Sequence, residues 1–225
     1  MKNGKGQETP LWGGRFEESV ETTVIDYTAS LQVDRRLAFQ DIRGTRAHVQ
    51  MLADRGILPV TDLATVLEAL DKIQEELEGG TFPFQPELED IHMNIESRLT
   101  ELAGQPGERV HSGRSRNDQV AVDLKLYCRE TAARWQQLLM ELQEPFLARA
   151  GQLTEELFPA WTHMQVAQPI SWAHYLLSFC AMFGRDFERL ESYRTLHSIS
   201  PLGAGALAGS TLPIDPAATA RALGF

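Results

Sequence analysis

Apolar residues recur at helical spacing from Val120 to Phe146, and this long pattern constrains the fold more than any other feature of the sequence. The pattern is carried by Val120, Leu124, Tyr127, Cys128, Trp135, Leu138, Leu139, Leu142 and Phe146. Such spacing places the apolar side chains on one side of a helix over many turns. We expect Pro145 to kink this helix rather than end it. A helix of this length is typical of a bundle or a coiled-coil-like core.

A second long helix is predicted from near Pro169 to about His197. Its first half, Ile170 to Phe183, is apolar almost all round, which is typical of a helix that is buried on every side. Leaving a large apolar side chain in water forgoes roughly 1.5–3 kcal/mol. Since two or three long helices cannot cover this surface by themselves, the cover is expected from other subunits or from chain outside this sequence.

Three shorter helices are predicted before these two. They run from Leu37 to Arg55, from a cap at Thr61 or Asp62 to Gly79-Gly80, and from Asp90 to Ala103. No stretch alternates as an obvious strand. We therefore expect an all-α protein with a flexible tail at 1–10, a helical N-terminal domain at 11–110 and part of a helical bundle at 111–225. The boundary is placed near the loop at 104–107.

Composition narrows the function classes. The 21 Lys and Arg residues against 31 Asp and Glu residues give a formal net charge of −10, which argues against general nucleic-acid or anionic-membrane binding. Cys128 and Cys180 are far apart and have neither metal-ligand nor disulfide-framework spacing, so the reducing cytoplasm is the default. The polar residues 1–10 are unlike a signal peptide, and no uninterrupted apolar run could span a bilayer.

The densest group of polar side chains is His111–Gln119, directly before the long helix. It contains Arg114 and Arg116, whose guanidinium groups suit carboxylates and phosphates, and Asn117 and Asp118, which are good helix N-cap types. A helix start also presents free N–H groups and a partial positive charge. These features favour an anion pocket. The alternative is a polar loop with a cap and solvated arginines.

Two further segments offer titratable side chains. His163, flanked by Thr162 and Gln165, can exchange protons near neutral pH, although a lone histidine is more often held by backbone hydrogen bonds in a loop or core. His92 and Glu96 share a helix face. A metal site there is conceivable with only two ligands in sight, and the alternative is a polar helix face.

The segment Ser200–Ser210 is rich in glycine but matches no phosphate-binding or dinucleotide-binding pattern, because no Lys-Ser/Thr follows and no strand precedes it. We interpret it as a tight connector that lets the backbone approach a ligand or another chain.

Together, these motifs resemble the argininosuccinate lyase family of the fumarase/aspartase superfamily. The resemblance runs in order from about Leu11 to Phe225. Its Arg-Ser-Arg-Asn-Asp-Gln form separates it from the fumarase and adenylosuccinate lyase branches. The matching segments are Leu11–Phe16, Glu89–His92, Ser112–Gln119, Thr162–Gln165 with Ala167–Pro169, and Pro201–Gly209.

The resemblance implies a mostly helical homotetramer whose central bundle is built from long helices of all subunits. The implied reaction is the reversible, non-hydrolytic cleavage of argininosuccinate to arginine and fumarate, a step of arginine biosynthesis. A base removes a proton next to a carboxylate, hydrogen-bond donors hold the resulting dianion, and the C–N bond then breaks. No metal or organic cofactor is implied.

Residue roles also follow from the resemblance. Ser30, Asn117 and Thr162 match substrate-binding positions, and His163 matches the acid/base histidine. His92 matches a histidine that helps to position substrate, while Arg114, Ser115 and Arg116 would shape the anion pocket. Ser112 stands where the family often has Thr, and Met164 and Val166 replace residues that are more often Leu and Arg. Val166 thus removes one possible positive charge.

The family's third active-site segment, a Gly-Ser-Ser loop followed by Met-Pro-x-Lys-x-Asn that carries the proton-abstracting serine, has no match in these residues. The chain therefore resembles an N-terminal portion of the enzyme, with a truncated bundle, and is expected to be inactive alone. Alternatives are a non-enzymatic, crystallin-like structural protein or another lyase of the superfamily.

Overall fold

Helices dominate the computed structural model, which describes residues 22–225. The predicted all-α class is confirmed, with a small two-stranded sheet added. In chain order the helices are α1 (Thr22–Thr28), α2 (Leu31–Asp34), α3 (Ala38–Asp54), α4 (Val60–Glu78), α5 (Ile91–Ala103), α6 (Gln105–Glu108), α7 (Arg116–Gln152), α8 (Trp172–Leu196) and α9 (Pro216–Leu223). Single 3₁₀ turns lie at Arg35–Leu37 and Pro86–Leu88, and the strands are β1 (Leu157–Thr162) and β2 (Gln165–Ser171).

The chain forms two compact units. The first comprises residues 22–124 together with Ser200–Phe225, and the second is Lys125–Ile199. This division differs from the predicted boundary near 104–107, because the first turns of α7 belong to the first unit and the segment after residue 199 returns to it. No helix among residues 22–225 is long and apolar enough to cross a membrane.

The core of the first unit lies among α3, α4 and α5. Apolar side chains from all three helices are 2% exposed or less: Ile42, Val49, Leu52, Val66, Leu70, Ile73, Ile91, Ile95 and Leu99. Each side chain of this kind contributes about 1.5–3 kcal/mol through burial. α9 packs against α3 and adds Leu223, also 2% exposed. These contacts form the frame on which the polar residues of the site are held.

The predicted helix bounds are close to those observed, with one wrong cap. α5 begins after Asp90, whose carboxylate accepts a hydrogen bond from Met93 N at 2.6 Å. α4, however, begins at Val60 after Pro59 and has no side-chain cap. Asp62 is not the cap because its carboxylate binds Arg109 Nη1 at 2.7 Å.

The second unit contains a β-hairpin that the sequence pattern does not reveal. β1 and β2 pair antiparallel, with an irregularity between Pro159 and Trp161. Every residue of the two strands is partly or fully exposed. The strands therefore lack the alternation of buried apolar and exposed polar residues by which a strand is recognised in a sequence. Accordingly, α8 begins at Trp172 rather than near Pro169, and Ser171 Oγ caps it by accepting a hydrogen bond from His174 N at 3.1 Å.

α7 continues through Pro145 as predicted, but α8 is not buried on every side within this chain. Its buried side chains are Ala173 and Cys180, whereas Trp172, Tyr175, Leu177 and Met182 are each more than 40% exposed. The rings of Phe146 and Phe179 pack 5.8 Å apart, and Trp172 stacks on Phe158 at 4.1 Å. The large apolar remainder of α8 is the surface for which additional cover is expected.

Candidate active site

The residues predicted as site residues fall into both compact units. Ser30, His92, Arg114, Ser115, Arg116 and Asn117 lie in the first unit, and Thr162 and His163 lie in the second. The matching segment Leu11–Phe16 lies outside the described residues.

α7 begins with a reciprocal cap. Ser115 Oγ accepts a hydrogen bond from Asn117 N at 3.3 Å, and Asp118 Oδ1 accepts one from Ser115 N at 2.9 Å. This is the arrangement of a capping box, with aspartate at its third helical position. Asn117 and Asp118 are therefore residues of the first turn rather than the N-cap itself. The cap fixes the backbone at the point where the anion pocket was predicted.

The carboxylate of Asp118 also joins two motifs that are far apart in sequence. Asp118 is 3% exposed, and its Oδ2 accepts hydrogen bonds from Gly203 N at 3.0 Å and Gly205 N at 2.7 Å. Asn117 Nδ2 donates to Ala206 O at 3.2 Å. The glycine-rich connector thus approaches the Arg-Ser-Arg-Asn stretch of its own chain. Gly205 has φ +61°, and a Cβ there would lie 2.8 Å from Gly209 O, so the turn requires glycine.

The two arginines of the motif have different environments. The Arg114 side chain is only 1% exposed, and its Nη1 donates to Thr45 Oγ1 at 3.0 Å. Its Nε and Nη2 have no hydrogen-bond partner within residues 22–225. The Arg116 side chain is 28% exposed, so this guanidinium, together with the exposed Asn117, is the one placed to meet a bound anion.

Glu96 is a hub for the basic side chains of this region. It accepts hydrogen bonds from His111 Nδ1 at 2.6 Å and from Arg116 Nη2 at 2.7 Å, and it lies 3.8 Å from Arg114 Nη2. Burial would raise the pKa of Glu96, but the hydrogen bond from His111 and the nearby positive charges lower that pKa below its ordinary value. Glu96 therefore remains ionised and holds Arg116.

His92 does not pair with Glu96 in a metal site. Its imidazole lies between two carboxyl groups instead. Its Nδ1 lies 3.1 Å from Asp41 Oδ1 and 3.3 Å from Asp123 Oδ2, and all three side chains are 1% exposed. Burial would lower the pKa of His92, but the hydrogen bonds and charges of the two carboxyl groups raise it to about 10. The imidazole is therefore a buried cation.

The pKa values of the two carboxyl groups are shifted in opposite directions. Burial would raise the pKa of Asp41, but His92 and the charge of Arg114 lower it to about 2. Burial and the charge of Asp41 raise the pKa of Asp123 to about 7, in spite of its contact with His92. A pair of close carboxyl groups that cannot both ionise easily behaves in this way.

This buried cluster, Asp41, His92 and Asp123, has the composition of a metal site, since one ligand atom from each residue lies within 4.8 Å of the others. Asp41 Oδ1, however, is already occupied by Gln119 Nε2, at 2.5 Å, and by the imidazole. A cation would also face the buried charge of Arg114. The cluster is better described as a charge-balanced network than as a coordination site.

Sequence reasoning missed Asp41, Gln119 and Asp123. A signal was present on α7, because Gln119, Val122, Asp123 and Leu126 form a buried stripe at i, i+3, i+4 and i+7. A carboxylate and an amide on such a stripe require polar partners inside the fold.

Ser30 is placed beside the segment that leads to His92. Its backbone N donates to Glu89 O at 2.9 Å, and its Oγ donates to Asp34 Oδ2 at 2.5 Å. Asp34 Oδ1 in turn accepts from Ile91 N at 3.1 Å. Glu89 has φ +68°, an unusual backbone conformation for a residue other than glycine. The exposed Ser30 is thus fixed next to the start of α5.

His163 lies at the tip of the hairpin between β1 and β2. Thr162 pairs with Gln165, so His163 and Met164 form a two-residue turn with φ +51° and +62°. Such turns strongly prefer Asn or Gly, and other residues in the left-handed region are strained. Thr162 and His163 are exposed. The hairpin presents the imidazole outward at a defined place.

The family model described as "Lyase" matches residues 14–225. The chain belongs to this lyase family. Among curated relatives, it is 48% identical over 216 residues to the argininosuccinate lyase of Nitratidesulfovibrio vulgaris, with 96% of this chain and 47% of that protein covered. It is also 46% identical over 225 residues to the argininosuccinate lyase of Hyphomonas neptunium, which covers 100% of this chain and 48% of that protein. The chain spans about half the length of these relatives.

Solved structures of similar proteins support the fold. EDDS lyase in complex with formate is 26% identical, with a TM-score of 0.73 over 87% of this chain and 38% of that chain. A fumarate lyase:delta crystallin from Brucella melitensis is 19% identical, with a TM-score of 0.70 over 100% of this chain and 54% of that chain. The second likeness shows the fold alone.

Proposed function

We propose that this chain forms the N-terminal part of an argininosuccinate lyase, which cleaves argininosuccinate to arginine and fumarate by β-elimination. The observation that carries the proposal is the assembly at the start of α7. There Asn117 and Asp118 form hydrogen bonds with the glycine-rich connector, and Arg116 forms an ion pair with Asp90 of the Glu89–His92 segment. The chain that holds this assembly is 46–48% identical to argininosuccinate lyases.

Arg116 and Asn117 are the proposed anion-binding pair. Both are accessible, and both stand in the first turn of a helix of 37 residues, where free backbone N–H groups and the helix dipole favour negative charge. In the elimination, charge develops on a substrate carboxylate as the neighbouring carbon loses its proton. Donors that are already oriented stabilise this charge without reorganisation.

His163 is the proposed acid/base group, and Ser30 and Thr162 are proposed substrate-binding hydroxyls. An imidazole can both accept and donate a proton, which the elimination of the guanidino group requires. Arg114 and Ser115 are proposed to act from behind the pocket, since Arg114 is buried and Ser115 caps the helix. His92 is proposed to position substrate indirectly, from its buried cluster.

We further propose a homotetramer that works in the cytoplasm without metal or organic cofactor and binds a small-molecule substrate rather than nucleic acid or membrane. The exposed aromatic and aliphatic surface of α8 supports the oligomer, because a large exposed apolar surface is typical of a contact between subunits. The acidic net charge of −10 supports the absence of nucleic-acid partners.

The proposal is tested with a chimaera in which these 225 residues replace the matching part of the Nitratidesulfovibrio vulgaris argininosuccinate lyase. Fumarate release from argininosuccinate is followed by ultraviolet absorbance. We expect turnover by the chimaera and none by the 225-residue chain alone, because the chain holds no Gly-Ser-Ser segment. A folded chimaera that leaves argininosuccinate intact would overturn the proposal, and a non-enzymatic role would then take its place.

A further inference from the structure

The guanidinium of Arg116 is held from three sides. Nη1 donates to Gln119 Oε1 at 2.6 Å, Nη2 donates to Glu96 Oε2 at 2.7 Å, and Nε lies 3.4 Å from Asp90 Oδ2. Two of these partners are carboxylates, which any arginine attracts. The third, Gln119, is a neutral amide that is 1% exposed. The burial of this amide indicates that the Gln119 side chain has a specific structural role.

Gln119 connects the partly exposed Arg116 to the buried cluster of Asp41, His92 and Asp123. Its Oε1 accepts from Arg116, while its Nε2 donates to Asp41 Oδ1 at 2.5 Å. A guanidinium only donates hydrogen bonds, and an ionised carboxylate only accepts them. The amide of Gln119 can therefore satisfy both neighbours in a single orientation, with its oxygen towards Arg116. The ionised state of Asp41 selects that orientation.

His92 and Asp123 complete the buried end of this network. The imidazolium balances the charge of Asp41 at 3.1 Å, and Asp123 lies at 3.3 Å from the same nitrogen. Asp123 can replace Asp41 as the counter-ion of His92, because loss of the charge on Asp41 would allow Asp123 to ionise beside the imidazolium. Gly44 leaves room for the carboxyl group of Asp123, since a Cβ at residue 44 would lie 3.1 Å from Asp123 Oδ1.

We propose that Asp41 and Gln119 are positioning residues that hold Arg116 in the orientation needed for anion binding, with His92 and Asp123 maintaining the charge of the buried end. This inference rests on the proposed function, in which Arg116 contacts the substrate carboxylate. The residues act through Arg116 and do not contact the substrate.

The first test measures Arg116 directly in the 225-residue chain. In ¹⁵N-labelled protein, the separate Nη1 and Nη2 signals of Arg116, assigned with Arg116→Lys, report hindered rotation of the guanidinium. Gln119→Met should merge these signals, because Nη1 loses its acceptor. The matched control is Gln137→Met on the same helix, whose amide donates to the exposed Glu141. Unchanged Arg116 signals in Gln119→Met would overturn the proposal.

The second test is a double-mutant cycle in the chimaera, with argininosuccinate as substrate. Gln119→Met should raise KM about tenfold, the factor that corresponds to about 1.4 kcal/mol, with a smaller change in kcat. Asp41→Asn should raise KM several-fold in the presence of Gln119 but have no further effect when combined with Gln119→Met. Asp123 is expected to keep the Asp41→Asn variant folded, and Asp54→Asn on the same helix is its control.

Equal effects of Asp41→Asn with and without Gln119→Met would refute the relay, because Asp41 would then act independently of Gln119. The two proposals fail in different ways. If the unmodified chimaera does not cleave argininosuccinate, the proposed function is wrong, whereas the Arg116 signals of the 225-residue chain still decide whether Gln119 positions this arginine.

Discussion

Replacing Asp118, the residue that follows the Arg-Ser-Arg-Asn stretch, by alanine should loosen the first unit. Its carboxylate accepts three backbone hydrogen bonds, from Ser115, Gly203 and Gly205, and the side chain is almost fully buried. A hydrogen bond to a charged group contributes about 1.5–3 kcal/mol. Ser115 N is at the half-buried helix start, where water can replace the lost acceptor, so the two glycine amides dominate. Asp118→Ala should therefore destabilise the unit by roughly 3–6 kcal/mol.

Amide hydrogen exchange is the appropriate assay, because it reports each unit separately. The exchange of Gly203 and Gly205 amides should accelerate strongly in Asp118→Ala. Trp135, Trp161 and Trp172 all lie in the second unit, so their fluorescence during urea unfolding serves as an internal control once Trp12 is replaced by phenylalanine. Asp186→Ala is the matched control. It removes an exposed ion pair to Arg189, which contributes about 0–1 kcal/mol. Native protection of both glycine amides in Asp118→Ala would refute the reasoning.

Three further predictions concern the cluster and the hairpin. The free energy of unfolding should fall as pH rises from 6.5 through about 10, because the folded state raises the pKa of His92 and that stabilisation is complete only below 6.5. The slope, at most about 1.4 kcal/mol per pH unit, should be missing in His92→Gln but present in the exposed control His174→Gln. Gly44→Ala should destabilise the chain because its Cβ meets Asp123 Oδ1 at 3.1 Å, whereas Gly184→Ala, with open space around it, should stabilise α8 by about 0.5–1 kcal/mol in thermal unfolding. His163→Asn, which keeps the left-handed turn but removes the imidazole, should lower kcat of the chimaera about 10²–10⁴-fold, and near-normal kcat would exclude His163 as the acid/base group.

The helices were predictable where an apolar stripe faces a core inside the same unit. The bounds of α3, α4 and α5 lie within one or two residues of the prediction for this reason. The hairpin was not predictable from alternation, since both of its strands are largely exposed. The α4 cap was misplaced because Asp62 is recruited by Arg109, a residue 47 positions away. Such long-range competition between partners does not appear in local sequence patterns.

The site residues also divide into those that local sequence motifs indicate and those that they do not. Arg116, Asn117 and His163 were recognisable from dense local motifs, and the structure shows each of them accessible or partly accessible. Gln119 and Asp123 were missed because the apolar pattern of α7, which runs through Val120 and Leu124, predicts a different buried face of the helix. Asp41 was missed because its polar partners lie 51 and 78 positions away in the sequence. Their role follows only from the meeting of α3, α5 and the first turns of α7. The buried half of a polar network is thus the part that requires a three-dimensional structure.

The most direct test of the central claim is the substrate preference of the chimaera. The ratio of kcat to KM should be measured with argininosuccinate, adenylosuccinate, malate and aspartate under the same conditions, with fumarate release as the common readout. We predict that argininosuccinate is preferred over every other substrate by about 10⁴-fold or more, the discrimination expected when the wrong substrate leaves polar groups of the site unpaired. Preference for any of the other three would contradict the assignment and identify the chain as part of a different lyase.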